Sequence, residues 1–214
     1  MYRLTKRSPF ITTLLLTALL ASSLYAGAAP IDIGSRLEPI LDDYLIDDMD
    51  GVELRLHKPI ARNISFTTDK PWEGNTSCYF TVFEDDGLYR MYFRGSDYDV
   101  ATKTYSDEYV CYAESTDGIN FTRPELNIVE FKGSKANNII LEGNGAHNFS
   151  PFKDTNPNCK PAERYKAIAR STQKKGLIAF TSPDAIHWTL VSEEPIITYG
   201  AFDSQNLAFY DEVR

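Results

Sequence analysis

The sequence predicts an all-β fold, and two observations lead to this prediction. Aromatic residues make up 13% of the 214-residue chain, and such residues favour strands. Short apolar runs bounded by polar turns also recur in the same order along the chain, as an internal repeat. A repeat of about four strands over roughly 50 to 70 residues is typical of a β-propeller blade. We therefore predict a partial β-propeller built from about two and a half four-stranded antiparallel sheets.

The first unit of the repeat opens with a β-hairpin. Two runs rich in aromatic and β-branched residues, 77–83 and 88–94, flank the turn Glu84-Asp85-Asp86-Gly87. An Asp-Gly turn between such runs is a strong hairpin pattern. Residues 109–114 predict a third strand, which ends in the turn 115–118.

The second unit carries the same elements. Residues 165–170 and 177–181 predict two further strands, and the pattern Ser-x-Asp-x-x-x-aromatic at 115–121 recurs at 182–188, which is 67 positions later. Propensity alone also permits a helix over 161–170, because Ala, Glu, Arg and Lys favour helices. The repeat favours a strand there instead.

The spacing between the two units indicates an insertion in the first. Residues 89–94 match 165–170 at an offset of 76, which exceeds the offset of the turns. A loop inserted at 95–107 explains the difference. Asp117 and Asp184, which recur in the turns, are predicted to cap backbone N–H groups and so to be structural.

A third unit is expected to start near the end of the chain. The first strand of the repeat, 77–83, has counterparts at 148–154 and 205–211, and a turn follows the last of these. A closed propeller needs about four blades or more. We therefore expect residues 29–214 to be the N-terminal part of a longer propeller domain.

Residues 1–28 have the pattern of a secretory signal peptide. A basic start precedes an apolar stretch at 10–21, and Ala26-Gly27-Ala28 fits the small-x-small cleavage pattern. The apolar stretch is shorter than the roughly 20 residues of a membrane-spanning helix. The sequence therefore predicts a secreted or periplasmic protein.

The charge balance argues against two classes of partner. The chain carries 22 basic and 30 acidic residues, for a net charge of −8, and a negative surface repels nucleic acid and anionic lipid. We therefore expect neither nucleic acid nor a membrane as a partner. A neutral oligo- or polysaccharide remains compatible. No phosphate-binding loop, zinc pattern or calcium loop occurs in the sequence, so no cofactor and no metal are predicted.

The three cysteines leave two alternatives open. An odd number cannot pair completely, and Cys78 and Cys111 both lie in apolar runs. They are predicted either as small buried hydrophobic residues or as a cross-strand disulfide.

Several segments, in their order, also resemble a known family. They are Trp72–Asn75 (WEGN), Leu88–Gly95 (LYRMYFRG), Tyr112–Phe121 (YAESTDGINF), His147–Phe152 (HNFSPF) and Gly200–Asn206 (GAFDSQN). This order is similar to that of secreted bacterial proteins with a five-bladed propeller, which are related to glycoside hydrolase families 32 and 43. The resemblance covers residues 38–214 and implies the N-terminal half of such a domain. The Trp-Met-Asn-Asp-Pro, Arg-Asp-Pro and Glu-Cys motifs of family 32 do not occur in the chain.

The resemblance implies catalytic carboxylates near the innermost strand of each blade, which is the first strand of each unit. Glycoside hydrolysis uses two carboxyl groups that flank the glycosidic bond. Acids ahead of or within such strands give Asp203, Glu73 and Asp43 as candidate catalytic residues, with Asp43 in a leading strand around 41–47. Each of these acids could instead belong to a turn, and the sequence leaves both alternatives open.

Candidate sugar-binding residues lie beside these acids. An indole face packs against a sugar ring, and amide, imidazole and guanidinium groups form hydrogen bonds with hydroxyls. The candidates are Trp72, Asn75, Arg94, His147, Asn148 and Gln205.

We therefore predict a secreted, carbohydrate-active propeller that is part of a glycoside hydrolase with paired carboxylates and is inactive as a fragment. The alternatives are a non-catalytic sugar-binding or protein-interaction propeller and a reading frame without a function of its own. The hydrolase requires two of the predicted carboxyls within about 10 Å in one pocket. The non-catalytic alternative requires aromatic and amide contacts without such a pair.

Overall fold

The computed structural model describes residues 29–212, so the predicted signal peptide at 1–28 lies outside the described residues. The described residues divide into two units, 29–60 and 61–212. In the first unit, residues 29–60 form no helix or strand, and the leading strand expected around 41–47 is therefore wrong. Hydrogen bonds there are local, whereas a strand needs a neighbouring strand to bond with.

The second unit is built from β-strands. They are β1 (Cys78–Asp85), β2 (Leu88–Gly95), β3 (Tyr98–Asp99), β4 (Thr104–Tyr105), β5 (Tyr109–Ser115), β6 (Ile139–Glu142), β7 (Ser150–Lys153), β8 (Tyr165–Arg170), β9 (Leu177–Ser182) and β10 (Thr189–Leu190). They form two four-stranded antiparallel sheets, in the orders β1-β2-β5-β6 and β7-β8-β9-β10, and a two-stranded ribbon, β3-β4. This confirms the all-β prediction, and within residues 61–212 the sheets do not close into a barrel or a ring. Across residues 29–212, no helix has the length and apolar character needed to cross a membrane.

The predicted hairpin consists of β1 and β2. Asp85 pairs with Leu88 across the turn, and the two central residues, Asp86 and Gly87, have φ values of 54° and 88°. A two-residue turn with positive φ at both positions matches the twist of the flanking strands. Gly lacks the Cβ that opposes this conformation, and Asp tolerates it, so the Asp-Gly pair accounts for the hairpin.

The repeat is confirmed at the level of the sheets. Residues 89–94 lie in β2 and residues 165–170 form β8, and each is the second strand of its sheet. The alternative of a helix over 161–170 is wrong beyond a single 3₁₀ turn at Pro161–Glu163. The inserted residues 95–107 contain the ribbon β3-β4.

Strand pairing repeats with the same spacing as the turns. Glu114 pairs with Thr122 after the first turn, and Thr181 pairs with Thr189 after the second, so both partners recur 67 positions later. The two turns therefore return the chain to its sheet in the same register.

Two segments differ from the predictions. The short strand β6 was not predicted, and it pairs with the first half of β5. Residues 205–211 were predicted to be the first strand of a third unit, but they form no strand. A strand is defined by its partner, and no strand among residues 29–212 pairs with this segment.

The two Ser-x-Asp turns have the same hydrogen bonds. In each turn the Ser Oγ donates to the Asp Oδ1, at 2.7 Å for Ser115 and 3.1 Å for Ser182. The Ser Oγ also accepts the N–H groups two and three residues further on. The Asp Oδ1 accepts the next two N–H groups. The turns are therefore capped by their own side chains.

We expect Ser182→Ala to lower the free energy of unfolding by about 1–3 kcal/mol. Ser182 is fully buried, and alanine would leave the N–H groups of Asp184 and Ala185 without this acceptor. Urea denaturation followed by circular dichroism measures the effect. The matched control is Ser192→Ala, because Ser192 is exposed and its Oγ accepts the Glu194 N–H. Equal losses for both variants would contradict the capping role.

One buried apolar cluster joins the two large sheets. Tyr92 and Tyr112 of the first sheet pack in it with residues of β8 and β9, and the Tyr92 hydroxyl donates to the Ala185 carbonyl at 2.9 Å. The three cysteines are free, and Cys111 is fully buried. β2 lies between the strands of Cys78 and Cys111, so the disulfide alternative is wrong.

Candidate functional site

A cavity of about 790 Å³ opens in the second unit. Its lining combines carboxylates, tyrosines, an arginine and a histidine. The lining residues of these kinds are Asp107, Glu108, Glu142, Asp203, Tyr79, Tyr105, Tyr109, Arg94 and His147. Three of the predicted site residues, Arg94, His147 and Asp203, therefore come together in this cavity.

Arg94, Glu108 and His147 form a hydrogen-bonded cluster on the cavity wall. Arg94 Nη1 lies 3.2 Å from Glu108 Oε1 and 3.2 Å from His147 Nδ1, and His147 Nδ1 lies 2.9 Å from Glu108 Oε1. Arg94 Nη2 donates to the Thr76 carbonyl at 3.3 Å. The carboxylate of Glu108 is therefore held from two sides by groups that are themselves mostly buried.

A β-bulge in β1 places Tyr79 beside this cluster. The register between β1 and β2 shifts at this point, and Tyr79 has a φ of 57°, which is uncommon for a residue other than glycine. Bulges turn side chains in new directions and are frequent next to functional sites. The Tyr79 ring centroid lies 5.6 Å from that of His147 and 5.1 Å from Arg94 Cζ, and its hydroxyl donates to the Asp203 carbonyl at 3.3 Å.

Asp203 is exposed and lies in the segment that follows β10. Gln205 Nε2 donates to Thr81 Oγ1 at 2.6 Å, and Asn148 Nδ2 donates to the Ser204 carbonyl at 2.6 Å. Gln205 and Asn148 thus hold the segment of Asp203 in place. Neither residue is part of the described cavity lining.

Glu73 lies in a buried ion pair. Its side chain is fully buried, and its Oε1 lies 2.6 Å from Arg123 Nε. Its Oε2 accepts hydrogen bonds from Arg123 Nη2 at 2.9 Å and from the Lys70 N–H at 3.0 Å. The structure therefore does not bring Glu73 to the cavity.

The remaining candidates lie elsewhere. Asp43 belongs to the first unit, where its carbonyl accepts the Ile46 N–H at 3.1 Å. Asn75 exchanges two hydrogen bonds with the backbone of Tyr98, at 2.9 and 3.1 Å, and so holds β3. Trp72 lines a neighbouring cavity of about 290 Å³.

Glu108 was not predicted, although the sequence carries a signal for it. The acids predicted to be catalytic stand ahead of or within a predicted first strand, whereas Glu108 directly precedes β5, the third strand of its sheet. The same placement next to a strand, applied to every strand, predicts Glu108 as well. No such signal exists for Tyr79, because the direction of its side chain depends on a bulge that the alternating sequence pattern of β1 does not indicate.

Tyr109 also lines the cavity and carries a phenolic hydroxyl. Burial raises the pKa of its hydroxyl, and the carboxylates of Asp107 and Glu142 raise it further. The hydroxyl therefore keeps its proton. Among residues 29–212, no group of three or more His, Cys, Asp or Glu side chains is arranged to hold a metal ion.

Comparisons with known proteins add little to this site. No family model and no curated protein matches the chain. It is similar to a solved structure from the GH130 family of mannoside phosphorylases, which contains glycoside hydrolases that target β-1,2 mannosidic linkages in Candida mannan, at 16% identity and a TM-score of 0.29. The match covers 63% of this chain and 55% of that one, so the chain spans about half the length of the matched structure. A match at this TM-score assigns no function to the chain.

Proposed function

We propose that the cavity is the carbohydrate site of a secreted, glycosidase-like protein. The observation that carries this proposal is the convergence of carboxylates, tyrosines, Arg94 and His147 on one cavity of about 790 Å³. Ligand pockets typically measure roughly 300–1,000 Å³. Tyrosine rings suit the apolar face of a sugar, and the charged groups suit its hydroxyls.

Hydrolysis would use Asp203 and Glu108 as the pair of carboxyl groups. Both line the same cavity, and glycoside hydrolysis needs one carboxyl on each side of the scissile bond. Arg94 and His147 fix the position of Glu108 before a substrate binds, which lowers the cost of reaching the reactive geometry. Asp203 is exposed and so remains accessible to a sugar.

The same proposal includes the partial propeller. The two large sheets have equivalent strand order, and their first strands, β1 and β7, contact each other. Neighbouring propeller blades are arranged in this way, with their first strands next to the axis. Tyr79 of β1, and His147 shortly before β7, would then lie at the mouth of the central channel.

A non-catalytic carbohydrate-binding protein is the second candidate function. Of the three carboxylates predicted to be catalytic, Glu73 is taken up by Arg123 and Asp43 lies in the other unit. Asp203 is thus the one of the three that lines the described cavity. Hydrolysis would therefore depend on Glu108, whose carboxylate is already held by Arg94 and His147, and this favours binding without hydrolysis.

We expect Tyr105→Ala to weaken the binding of neutral oligosaccharides about tenfold. Tyr105 lines the cavity, and 65% of it is exposed, so its removal should spare the fold. Isothermal titration calorimetry with xylan, mannan and galactan oligosaccharides measures the change. The matched control is Tyr199→Ala, since Tyr199 is 96% exposed and does not line the described cavity. Absence of binding by the wild-type protein would overturn the proposal.

Release of reducing ends separates the two candidate functions. Hydrolysis predicts turnover that Asp203→Asn abolishes while the substrate still binds. Binding without any turnover would identify the non-catalytic protein instead.

A further inference from the structure

A further cavity beside the carbohydrate site is lined by positive rather than negative side chains. It measures about 390 Å³ and lies at the loop between β8 and β9. Its charged lining residues are Arg170, Lys174 and Lys175, and no carboxylate of residues 29–212 is among its lining. The whole chain has a net charge of −8, so this concentration of positive charge is local. We call this the basic cavity.

The loop that carries these charges is held in one conformation by hydrogen bonds. Ser171 Oγ accepts two N–H groups of the loop, at 3.2 and 3.1 Å. Asn144 Oδ1 accepts the Ser171 hydroxyl at 3.1 Å and the Thr172 N–H at 2.9 Å. A loop fixed in this way loses little conformational freedom when a ligand binds.

Two of the three cations are available to a ligand. Lys174 Nζ pairs with Glu194. Arg170 and Lys175 are exposed and take part in none of the ion pairs formed among residues 29–212. An anionic group seated between them would accept charge-assisted hydrogen bonds, which are stronger than those between neutral groups.

The basic cavity adjoins the proposed carbohydrate cavity. Thr172 lines both, and Phe202 of the basic cavity is followed in the chain by Asp203 of the carbohydrate cavity. A glycan that occupies the carbohydrate cavity can therefore continue into the basic cavity. The four carboxylates of the carbohydrate cavity would repel an anionic group of the glycan. That group would therefore lie in the adjoining basic cavity and not in the carbohydrate cavity.

We propose that the basic cavity binds the anionic substituent, a sulfate ester or a carboxylate, of a polysaccharide whose neighbouring sugar occupies the carbohydrate cavity. The substrate class is then an anionic glycan. This inference rests on the proposed carbohydrate function. It adds the requirement that the glycan carries a negative charge where it reaches the basic cavity.

The test uses the double variant Arg170→Gln/Lys175→Gln. Calorimetry at low salt measures affinity for sulfated galactan oligosaccharides and for the same oligosaccharides after desulfation. A second pair, oligogalacturonate and its methyl ester, separates a carboxylate from a sulfate ester. We expect the wild-type protein to prefer one anionic form about tenfold over its neutral counterpart. The double variant should lose this preference, and added salt should weaken it in the wild-type protein.

The control variant Lys103→Gln/Lys135→Gln removes the same charge elsewhere. Both lysines are exposed and neither lines the two cavities, so the preference should survive. Equal affinity of the wild-type protein for charged and neutral forms would overturn the inference while leaving the proposed function intact. If free sulfate bound to the basic cavity but no anionic glycan did, the cavity would hold an adventitious ion only, and the inference would be overturned. Absence of all glycan binding would overturn both proposals.

Discussion

Asp85→Asn is expected to lower the free energy of unfolding by about 3 kcal/mol. Asp85 ends β1 and its side chain is 4% exposed. Its Oδ2 accepts hydrogen bonds from Arg90 Nε and from the Tyr165 hydroxyl, both at 2.7 Å, and Lys153 Nζ lies 2.7 Å from Oδ1. Arg90 belongs to the first sheet, whereas Lys153 and Tyr165 belong to the second. Loss of the carboxylate charge would therefore leave Arg90 without its anionic partner, and Lys153 with only the exposed Asp86, at the contact between the sheets.

The Asp85 carboxyl also makes the free energy of unfolding depend on pH. Burial raises the pKa of Asp85, but the hydrogen bonds from Lys153, Tyr165 and Arg90 outweigh burial and lower the pKa to about 2 from an ordinary value of 3.8. The folded protein thus binds this proton less readily than the unfolded chain does, so the contribution is complete above the ordinary pKa and is lost as the pH falls through the lowered one. This shift is equivalent to about 2.5 kcal/mol of stability, and we expect the wild-type protein to lose most of it between about pH 4 and about pH 2 and the rest at lower pH.

Urea denaturation at a series of pH values tests both statements. The free energy of unfolding of the wild-type protein exceeds that of Asp85→Asn, and this difference should shrink as the pH falls through this window. Asp86→Asn is the matched control, because Asp86 is the next residue, its side chain is 77% exposed and it also contacts Lys153, at 3.0 Å. An exposed pair contributes about 0–1 kcal/mol. A difference between wild type and Asp85→Asn that is constant with pH would contradict the assignment.

Local chemistry explains which parts of the fold could be predicted. The Asp-Gly turn specifies the β1–β2 hairpin through the φ values of two adjacent residues. The Ser-x-Asp turns form their bonds within a few residues, so their recurrence revealed the second sheet. Residues 205–211 were predicted from a similar apolar pattern, but a strand also needs a partner, which the pattern cannot supply.

The candidate site was predicted in part for the same reason. Arg94 and His147 were found because each stands next to a strand of the repeat, and Asp203 because it precedes residues 205–211, which were predicted to be a strand but form none. Glu108, the partner of Arg94 and His147, is 39 residues from His147 in the chain, and pairing over such a distance depends on how the strands pack. Glu73 was misleading for the same reason, since its partner Arg123 lies 50 residues away.

Replacement of Glu73 is expected to reduce stability and to leave carbohydrate binding unchanged. Removal of one partner of a buried ion pair costs about 3–5 kcal/mol, because the remaining charge is left without compensation. Arg123 also stacks over the Phe66 ring, with its Cζ 4.0 Å from the centroid, so the guanidinium cannot easily leave. Glu73→Gln should therefore lower the free energy of unfolding by about 3 kcal/mol or more.

The double variant Glu73→Leu/Arg123→Met distinguishes this structural role from a catalytic one. Two apolar residues of similar volume remove both charges together, and such exchanges are often neutral or stabilising. We expect the double variant to recover most of the stability that Glu73→Gln loses, and to bind oligosaccharides like the wild-type protein. Glu130→Gln, at an exposed position, controls for the loss of a single negative charge. If the double variant folded stably but no longer bound the glycan, Glu73 would belong to the carbohydrate site after all, and the buried pair would be part of its function.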